Sequence, residues 1–254
     1  MKFNAPLHLT IAAVSILALS ARSAIARHEH DSQPKHDEKT GAPAKGDQRV
    51  GDPYPLDTCP ITGKKLGAMG DPVVKVYDGR EVRFCCVACP EKFEKDKAAN
   101  LAKIDEKIVK DQAPLYPLKT SLVTGKDLPA APSKPYEFVY GNRLIRLGAE
   151  SEKAEFMKDP KKGLATLDRA VVEQQGKDYP IKNCPVSKEE FGGDMGKPID
   201  LVVAGRLVRL CCKACKPDVE KDPAKFIAIV DAARKGKGEK PDADHKDDHK
   251  HGGG

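Results

Sequence analysis

Two dense clusters of cysteine carry most of the chemistry that this 254-residue sequence offers. The residues C-C-V-A-C begin at position 85 and the residues C-C-K-A-C begin at position 211, and one further cysteine precedes each cluster, at positions 59 and 184. Thiolates are ligands that Zn(II) and Cu(I) prefer in proteins. The pattern therefore predicts two metal sites. The eight candidate metal ligands are Cys59, Cys85, Cys86, Cys89, Cys184, Cys211, Cys212 and Cys215.

The same cysteines admit two other interpretations. Four thiols in one small unit can form two disulfides, with three pairings for each set, and a disulfide-stapled structural or interaction protein would need no metal. The pairs Cys86–Cys89 and Cys212–Cys215 also have the C-x-x-C spacing of thiol redox sites. Thioredoxin-like enzymes need a β-α-β context that these segments lack. Metal binding is the favoured prediction.

The adjacent cysteines raise a geometric question about the metal sites. Successive side chains of a strand point to opposite faces, so Cys85 and Cys86 are not expected to aim at one ion unless the chain bends there. Four converging thiolates would form a closed structural zinc site. Three would leave an open site that favours Cu(I) or exchangeable Zn(II). The sequence leaves both arrangements open.

Three segments of the chain begin alike, at Tyr54, Tyr116 and Tyr179, where the residues read Y-P-L-D-T-C, Y-P-L-K-T-S and Y-P-I-K-N-C. Later arginines and aspartates recur at intervals of 63 residues. This periodicity predicts three tandem repeats. We name them unit 1 (residues 54–112), unit 2 (residues 113–176) and unit 3 (residues 177–235).

Unit 2 keeps the framework of its neighbours but contains none of their cysteines. The residues at its four cysteine positions are Ser121, Gly148, Ala149 and Glu152. Because the four thiols are absent together, we expect them to act together in units 1 and 3. A unit that is covered by its neighbours can remain folded without them. We therefore expect unit 2 to be a structural spacer that binds no metal.

Each unit has the local signals of a small α+β fold. A turn-rich opening leads to two apolar runs joined by a pair such as Asp78-Gly79, which tolerates positive φ and predicts a β-hairpin. An aspartate such as Asp159, followed by Pro160, predicts the N-cap and first turn of a longer amphipathic helix after a short helical segment. Alternation along the hairpin predicts that three recurring arginines lie on its outer face: Arg83, Arg146 and Arg209.

Units 1 and 3 resemble the TRASH and YHS heavy-metal-binding domains. The shared features are a Cys-Pro turn, a cysteine at the end of the hairpin that follows Phe in unit 1, a cysteine four positions later, and a helical segment that reads Phe-x-x-Asp in unit 1. Serine commonly stands in YHS domains where this chain has Cys86. The resemblance covers residues 54–112 and 179–235 well, and residues 116–176 only in framework.

This resemblance implies a treble-clef or zinc-ribbon fold and a role in sensing, carrying or sequestering copper or zinc. One Zn(II) or Cu(I) ion is expected in each cysteine-containing unit. Cys86 and Cys212 are additional to the TRASH pattern and would be secondary ligands. The cysteines that match the pattern, and would be the primary ligands, are Cys59, Cys85 and Cys89 in unit 1 and Cys184, Cys211 and Cys215 in unit 3.

The first residues of the chain predict export, and both ends of the mature chain predict disorder. Residues 1–26 combine an early lysine, a short apolar run and an A-x-A cleavage site that ends at Ala26, which are the features of a cleaved secretory signal peptide. A periplasmic or secreted protein without a membrane span is therefore expected. Residues 27–53 and residues 236–254 are polar, contain every histidine of the mature chain, and are predicted to be disordered tails.

Charge and composition exclude other classes of function. The 44 basic and 38 acidic residues are interspersed, and a net charge of +6 argues against a nucleic-acid-binding face. The three units contain no histidine that could partner a nucleophile, so an enzyme is not expected. The expected partners are metal ions and a second metal-handling protein of the cell envelope.

Overall fold

The computed structural model describes residues 48–193 and 196–238. The predicted signal peptide and most of the two predicted tails lie outside these residues, as does the proposed cleavage site. Among the described residues, no helix has both the length and the apolar character needed to cross a membrane.

The architecture is α+β, with three two-stranded antiparallel hairpins that are each followed by helices. In unit 1 the elements are β1 (Val73–Tyr77), β2 (Arg80–Phe84), α1 (Cys89–Glu94) and α2 (Lys97–Gln112). In unit 2 they are β3 (Tyr136–Tyr140), β4 (Arg143–Leu147), α3 (Lys153–Phe156) and α4 (Pro160–Gly176). In unit 3 they are β5 (Ile199–Val203), β6 (Arg206–Leu210), α5 (Lys216–Lys221) and α6 (Pro223–Gly238). Short 3-10 turns span Ala113–Leu115, Glu150–Glu152 and Lys213–Cys215.

The hairpin prediction is confirmed in all three units. Both central residues of the first turn have positive φ, with Asp78 at 53° and Gly79 at 81°, and the turns at residues 141–142 and 204–205 share this conformation. A two-residue turn of this kind matches the right-handed twist of the strands that it joins. The strand register follows directly, with Tyr77 opposite Arg80 and Val73 opposite Phe84.

Each long helix begins at an aspartate that caps it. The side chains of Asp96, Asp159 and Asp222 accept hydrogen bonds from the backbone N–H three residues later, at 3.4, 3.1 and 3.3 Å. Such a cap contributes about 1 kcal/mol to stability. In α2 the apolar residues Ile104 and Ile108 beyond the cap are buried in one core cluster with Val82 and Phe84 of the unit 1 hairpin.

Two glutamines link each unit to the next. Gln112, the last residue of α2, donates to the carbonyl of Asn142 at 2.9 Å and accepts from the N–H of Leu144 at 2.9 Å. Gln175 in α4 makes the same pair of bonds to the hairpin of unit 3, at 2.8 and 2.9 Å. The three hairpins are therefore fixed relative to one another by buried polar contacts.

Residues 48–53 belong to the fold, although their polar composition predicted that they form the end of a disordered linker. The carboxylate of Asp52 lies 3.2 Å from the guanidinium of Arg143 in unit 2 and accepts a 2.5 Å hydrogen bond from the N–H of Ala204 in unit 3. Composition could not reveal this, because a polar segment becomes ordered when distant parts of the chain supply its partners. The predicted tail also begins too early, since α6 continues to Gly238.

The prediction that Arg83 lies on an outer hairpin face is wrong. Its side chain is buried, with Nε 2.7 Å from Glu81 Oε1, and its guanidinium donates to the carbonyls of Glu220 and Lys221 in unit 3. Alternation correctly places it on the face away from the core of unit 1, but unit 3 covers that face. The equivalent Arg146 is half-buried, with its guanidinium over the ring of Tyr116 at 4.9 Å, and Arg209 lies over Tyr179 in the same way, at 5.0 Å.

Candidate metal centres

A tight loop at the start of units 1 and 3 presents the first cysteine. In unit 1 the N–H of Cys59 donates to the carbonyl of Lys64 at 2.8 Å, and its carbonyl accepts from the N–H of Gly63 at 2.9 Å. Cys184 makes the same pair of bonds in unit 3, at 2.7 and 2.9 Å. The loop closes because the residue four positions after the cysteine adopts positive φ, 69° at Gly63 and 70° at Lys188.

The other two cysteines of each group come from the junction between hairpin and helix. Cys85 directly follows β2 and Cys89 begins α1, so the bend between strand and helix turns both toward Cys59. The sulfur atoms of Cys59, Cys85 and Cys89 lie within 4.8 Å of one another. We call this group triad 1. The equivalent group in unit 3, triad 3, is Cys184, Cys211 and Cys215.

The sulfur spacing within the triads matches that of a metal–thiolate site. The Sγ atoms of Cys85 and Cys89 are 3.8 Å apart, and Cys215 Sγ lies 3.9 Å from Cys184 Sγ and 3.7 Å from Cys211 Sγ. Four sulfurs placed at about 2.3 Å from a tetrahedral Zn(II) ion are separated by about 3.8 Å. The other sulfur pairs of the two triads lie within 4.8 Å, so both triads come close to the spacing around such an ion. All eight cysteines are free thiols, and the S–S bond of a disulfide is only about 2.05 Å long.

Cys86 and Cys212 stand apart from the triads. Both are half-buried, whereas the triad thiols are buried, and neither belongs to the groups of mutually close ligand atoms. Cys86 Sγ lies 3.4 Å from Cys89 Sγ, and Cys212 Sγ lies 3.9 Å from Cys211 Sγ. The structure therefore groups three thiols in unit 1 and three in unit 3, and places the fourth thiol of each unit at the edge, in contact with one of the three.

Hydrogen bonds favour a thiolate at the first cysteine of each triad. Burial raises the pKa of Cys59, but N–H and O–H donors from Cys85, Thr62 and Ile61 outweigh it and lower the pKa to about 7. Burial also opposes ionisation of Cys184, whose pKa is likewise lowered to about 7 by donors from Cys211, Ser187 and Val186.

The third cysteine of each triad is harder to ionise than an ordinary thiol. Burial and the neighbouring thiols raise the pKa values of Cys89 and Cys215 above the usual range. A metal ion must therefore displace protons from these thiols when it binds, because the thiolate is the form that ligates.

The opening loop places a hydroxyl next to a triad cysteine in units 1 and 3, a contact that the cysteine pattern did not predict. Thr62 Oγ1 lies 3.2 Å from Cys85 Sγ, and Ser187 Oγ lies 3.3 Å from Cys211 Sγ. A hydroxyl that donates to a ligating thiolate orients it and moderates its charge. The signal was present in the sequence, since a hydroxyl residue follows the first cysteine position by three residues in all three units, with Thr124 in unit 2.

In unit 2 a carboxylate fills the place that the thiols occupy in its neighbours. Glu152 accepts hydrogen bonds from the hydroxyl of Ser121, from the N–H of Gly148 at 3.2 Å and from the hydroxyl of Thr124 at 3.5 Å. A Cβ atom at Gly148 would lie 2.8 Å from Glu152 Oε1, so a larger residue there would require the carboxylate to shift from its present position. In unit 2 the hydrogen bonds to Glu152 thus hold the opening loop against the start of α3, at the place where units 1 and 3 have their cysteines.

Replacing Glu152 with alanine is expected to lower the free energy of unfolding by about 2 kcal/mol, because the buried Ser121 hydroxyl and the Gly148 N–H lose a charged acceptor. Urea titration of the full chain measures the change. Glu150→Ala is the matched control, since Glu150 is an exposed neighbour in the same 3-10 turn, and its loss is expected to cost less than about 0.5 kcal/mol. Equal effects of the two substitutions would contradict the role given to Glu152.

Metal affinity is expected to fall as the pH is lowered. At about pH 8 Cys59 is mostly thiolate, so an ion displaces protons mainly from the other thiols; below about pH 7 it must displace the Cys59 proton as well. Each displaced proton weakens the apparent affinity by about tenfold per pH unit. Competition titrations at about pH 8 and about pH 6 measure this change, and an affinity independent of pH would show that thiols are not the ligands.

Comparison with protein-family models, with curated proteins and with solved structures finds no match to this chain. The functional assignment below therefore rests on the positions and chemistry of the cysteines. Within the described residues, both groups of side chains that are close enough to hold a metal ion consist of cysteine alone.

Proposed function

We propose that this protein binds one Zn(II) or Cu(I) ion in unit 1 and one in unit 3, and none in unit 2. The observation that carries the proposal is that the three sulfurs of each triad lie within 4.8 Å of one another, with the pairs Cys85–Cys89, Cys184–Cys215 and Cys211–Cys215 at 3.7 to 3.9 Å. That spacing equals the edge of a metal–thiolate tetrahedron, about 3.8 Å. Unit 2 has a hydrogen-bonded carboxylate at this place, which removes any need for an ion there.

The donor set favours thiophilic ions. Three buried sulfurs, with no oxygen or nitrogen ligand among them, suit Cu(I) and Zn(II) and disfavour Mg(II) or Ca(II), which require oxygen ligands. A triad also leaves one coordination position free for a fourth ligand. This arrangement supports carriage, sequestration or sensing of metal ions more than a purely structural role, because an ion with an open position can be exchanged.

The biological setting is part of the same proposal. The signal-peptide pattern in residues 1–26 supports a periplasmic or secreted protein, and the loop, hairpin and helix around each triad support a treble-clef unit like those of the TRASH and YHS domains. The role is non-catalytic handling of copper or zinc in the cell envelope, in exchange with another metal-handling protein.

Elemental analysis of the mature chain, purified without added reductant, tests the proposal. We expect two thiophilic ions per chain and eight alkylatable thiols after chelation, because all eight cysteines are free. The variants Cys89→Ser and Cys215→Ser should each retain one ion. A metal-free chain whose mass is lower by two hydrogen atoms for each pair of cysteines would contradict the proposal and establish the disulfide alternative.

A further inference from the structure

One thiol of each cysteine set remains accessible while the other three are enclosed. In unit 1 the exposed fractions of the residues are 0 % for Cys59, 6 % for Cys85 and 2 % for Cys89. Cys86 is half-buried and is followed by Val87, which is 84 % exposed, and by the exposed Ala88. An external ligand can therefore reach Cys86 without unfolding the unit.

Unit 3 repeats this arrangement with different neighbours. Cys212 is half-buried and is followed by the exposed residues Lys213 and Ala214, while the three thiols of triad 3 are buried. In unit 2 the equivalent position is Ala149, which has no thiol. An accessible thiol therefore accompanies each triad and is absent from the unit without a triad.

The accessible thiol also touches the site. Cys86 Sγ is 3.4 Å from Cys89 Sγ, and Cys212 Sγ is 3.9 Å from Cys211 Sγ. One distance lies below and the other just above the sulfur separation of about 3.8 Å around a single tetrahedral ion. An ion held by a triad can therefore bond to the accessible thiol with little movement of the chain.

We propose that Cys86 and Cys212 are exchange ligands that pass the metal ion between the buried triad and an external acceptor. The inference rests on the metal-binding function proposed above. In the first step a bond forms between the ion and the accessible thiolate. Bonds to the triad then break one at a time as bonds to the acceptor form, so that the ion is never without ligands, no electron is transferred, and each freed thiolate takes up a proton from water.

The acceptor follows from this chemistry. It must offer thiolate or nitrogen ligands, which bind Zn(II) and Cu(I), and these must be exposed, because only the edge of the site is open to it. A direct transfer of this kind needs a ligand that both molecules can reach. A fully enclosed triad would instead release its ion only through local unfolding.

Transfer of Zn(II) from the full mature chain to the chromogenic chelator 4-(2-pyridylazo)resorcinol tests the proposal. The double variant Cys86→Ser/Cys212→Ser is expected to retain two ions, with affinities within about fivefold of the wild type, and to transfer them at least about tenfold more slowly. The matched control is Ala88→Ser/Ala214→Ser, which changes exposed residues of the same two loops and should transfer at the wild-type rate.

Alkylation of the zinc-loaded chain gives a second measurement that does not depend on a variant. Iodoacetamide should modify Cys86 and Cys212 at least about tenfold faster than any triad thiol, and the modified chain should keep its ions while transferring them slowly. Uniform modification of all eight thiols would overturn the inference.

The results of these experiments distinguish the exchange role of Cys86 and Cys212 from metal binding by the triads. If the wild type holds two ions but the double variant transfers them as fast as the wild type, or faster, the exchange role is overturned and metal binding stands. If the double variant loses its ions, Cys86 and Cys212 are structural ligands of a four-thiolate cage, which also overturns the exchange role. If the wild type holds no ion, both proposals fall together.

Discussion

Replacing Cys89 with serine is expected to lower the affinity of unit 1 for Zn(II) or Cu(I) by about a hundredfold or more. Cys89 is buried within triad 1, and its Sγ lies 3.8 Å from Cys85 Sγ. Its loss therefore removes one of three anionic ligands from the centre of the site. Cys59→Ser should have an effect of similar size. Competition titration against a chelator of known affinity measures the loss, with unit 3 of the same chain as an internal reference.

Cys86→Ser is the matched control for this prediction, because it removes a thiol from the same loop but from outside triad 1. We expect it to cost much less, since water or an external ligand can take the open position. If Cys86→Ser weakens binding as much as Cys89→Ser, the site is a cage of four thiolates. If none of the three substitutions changes affinity, the thiols are not ligands.

Replacing Arg143 with alanine is expected to lower the free energy of unfolding by about 3 to 5 kcal/mol, because it leaves Asp52 as an uncompensated buried charge. Arg143 is 1 % exposed and lies 3.2 Å from Asp52 and 2.8 Å from Asp168. Burial raises the pKa of Asp52, and the Arg143 guanidinium is the main group that opposes this shift. Urea titration of chains in the same metal state measures the effect.

Arg146→Ala is the matched control for Arg143→Ala. It changes the same residue type in the same strand, β4, but Arg146 is half-buried and pairs with Glu137 at 2.7 Å near the surface. A pair of this kind contributes about 1 kcal/mol or less. Similar losses from the two substitutions would show that the contact between Asp52 and the hairpins of units 2 and 3 does not hold the fold together.

The two ways of closing the opening loop explain how one framework can form with and without cysteines. A unit of about 60 residues buries a small core and gains from a staple that closes its opening loop onto its helix. In units 1 and 3 the cysteine triads occupy this place and form part of the buried core. In unit 2 the Glu152 carboxylate closes the loop by hydrogen bonds to Ser121 and Gly148. We infer that metal binding and the packing of units 1 and 3 are coupled.

The sequence determined the features that depend on neighbouring residues. The pair Asp78-Gly79 predicted a hairpin because its residues tolerate positive φ, and both adopt it. Asp159 predicted a helix cap because its short side chain can accept a hydrogen bond from the N–H three residues later, and it does so. The cysteines predicted two groups of candidate ligands because they recur at equivalent positions, and in units 1 and 3 the opening loop and the strand–helix junction bring three thiols together.

Only the tertiary structure decided which thiols are enclosed and which polar groups are buried. Cys86 and Cys89 have the same side chain and lie three residues apart, but the bend into α1 turns Cys89 toward the core and leaves Cys86 at the edge. Arg83 and Asp52 carry no local sign of burial, because the groups that enclose them lie more than 80 residues away, at Glu220 and Arg143. Periodicity reports which face of an element a side chain occupies, whereas burial also depends on what another part of the chain places against that face.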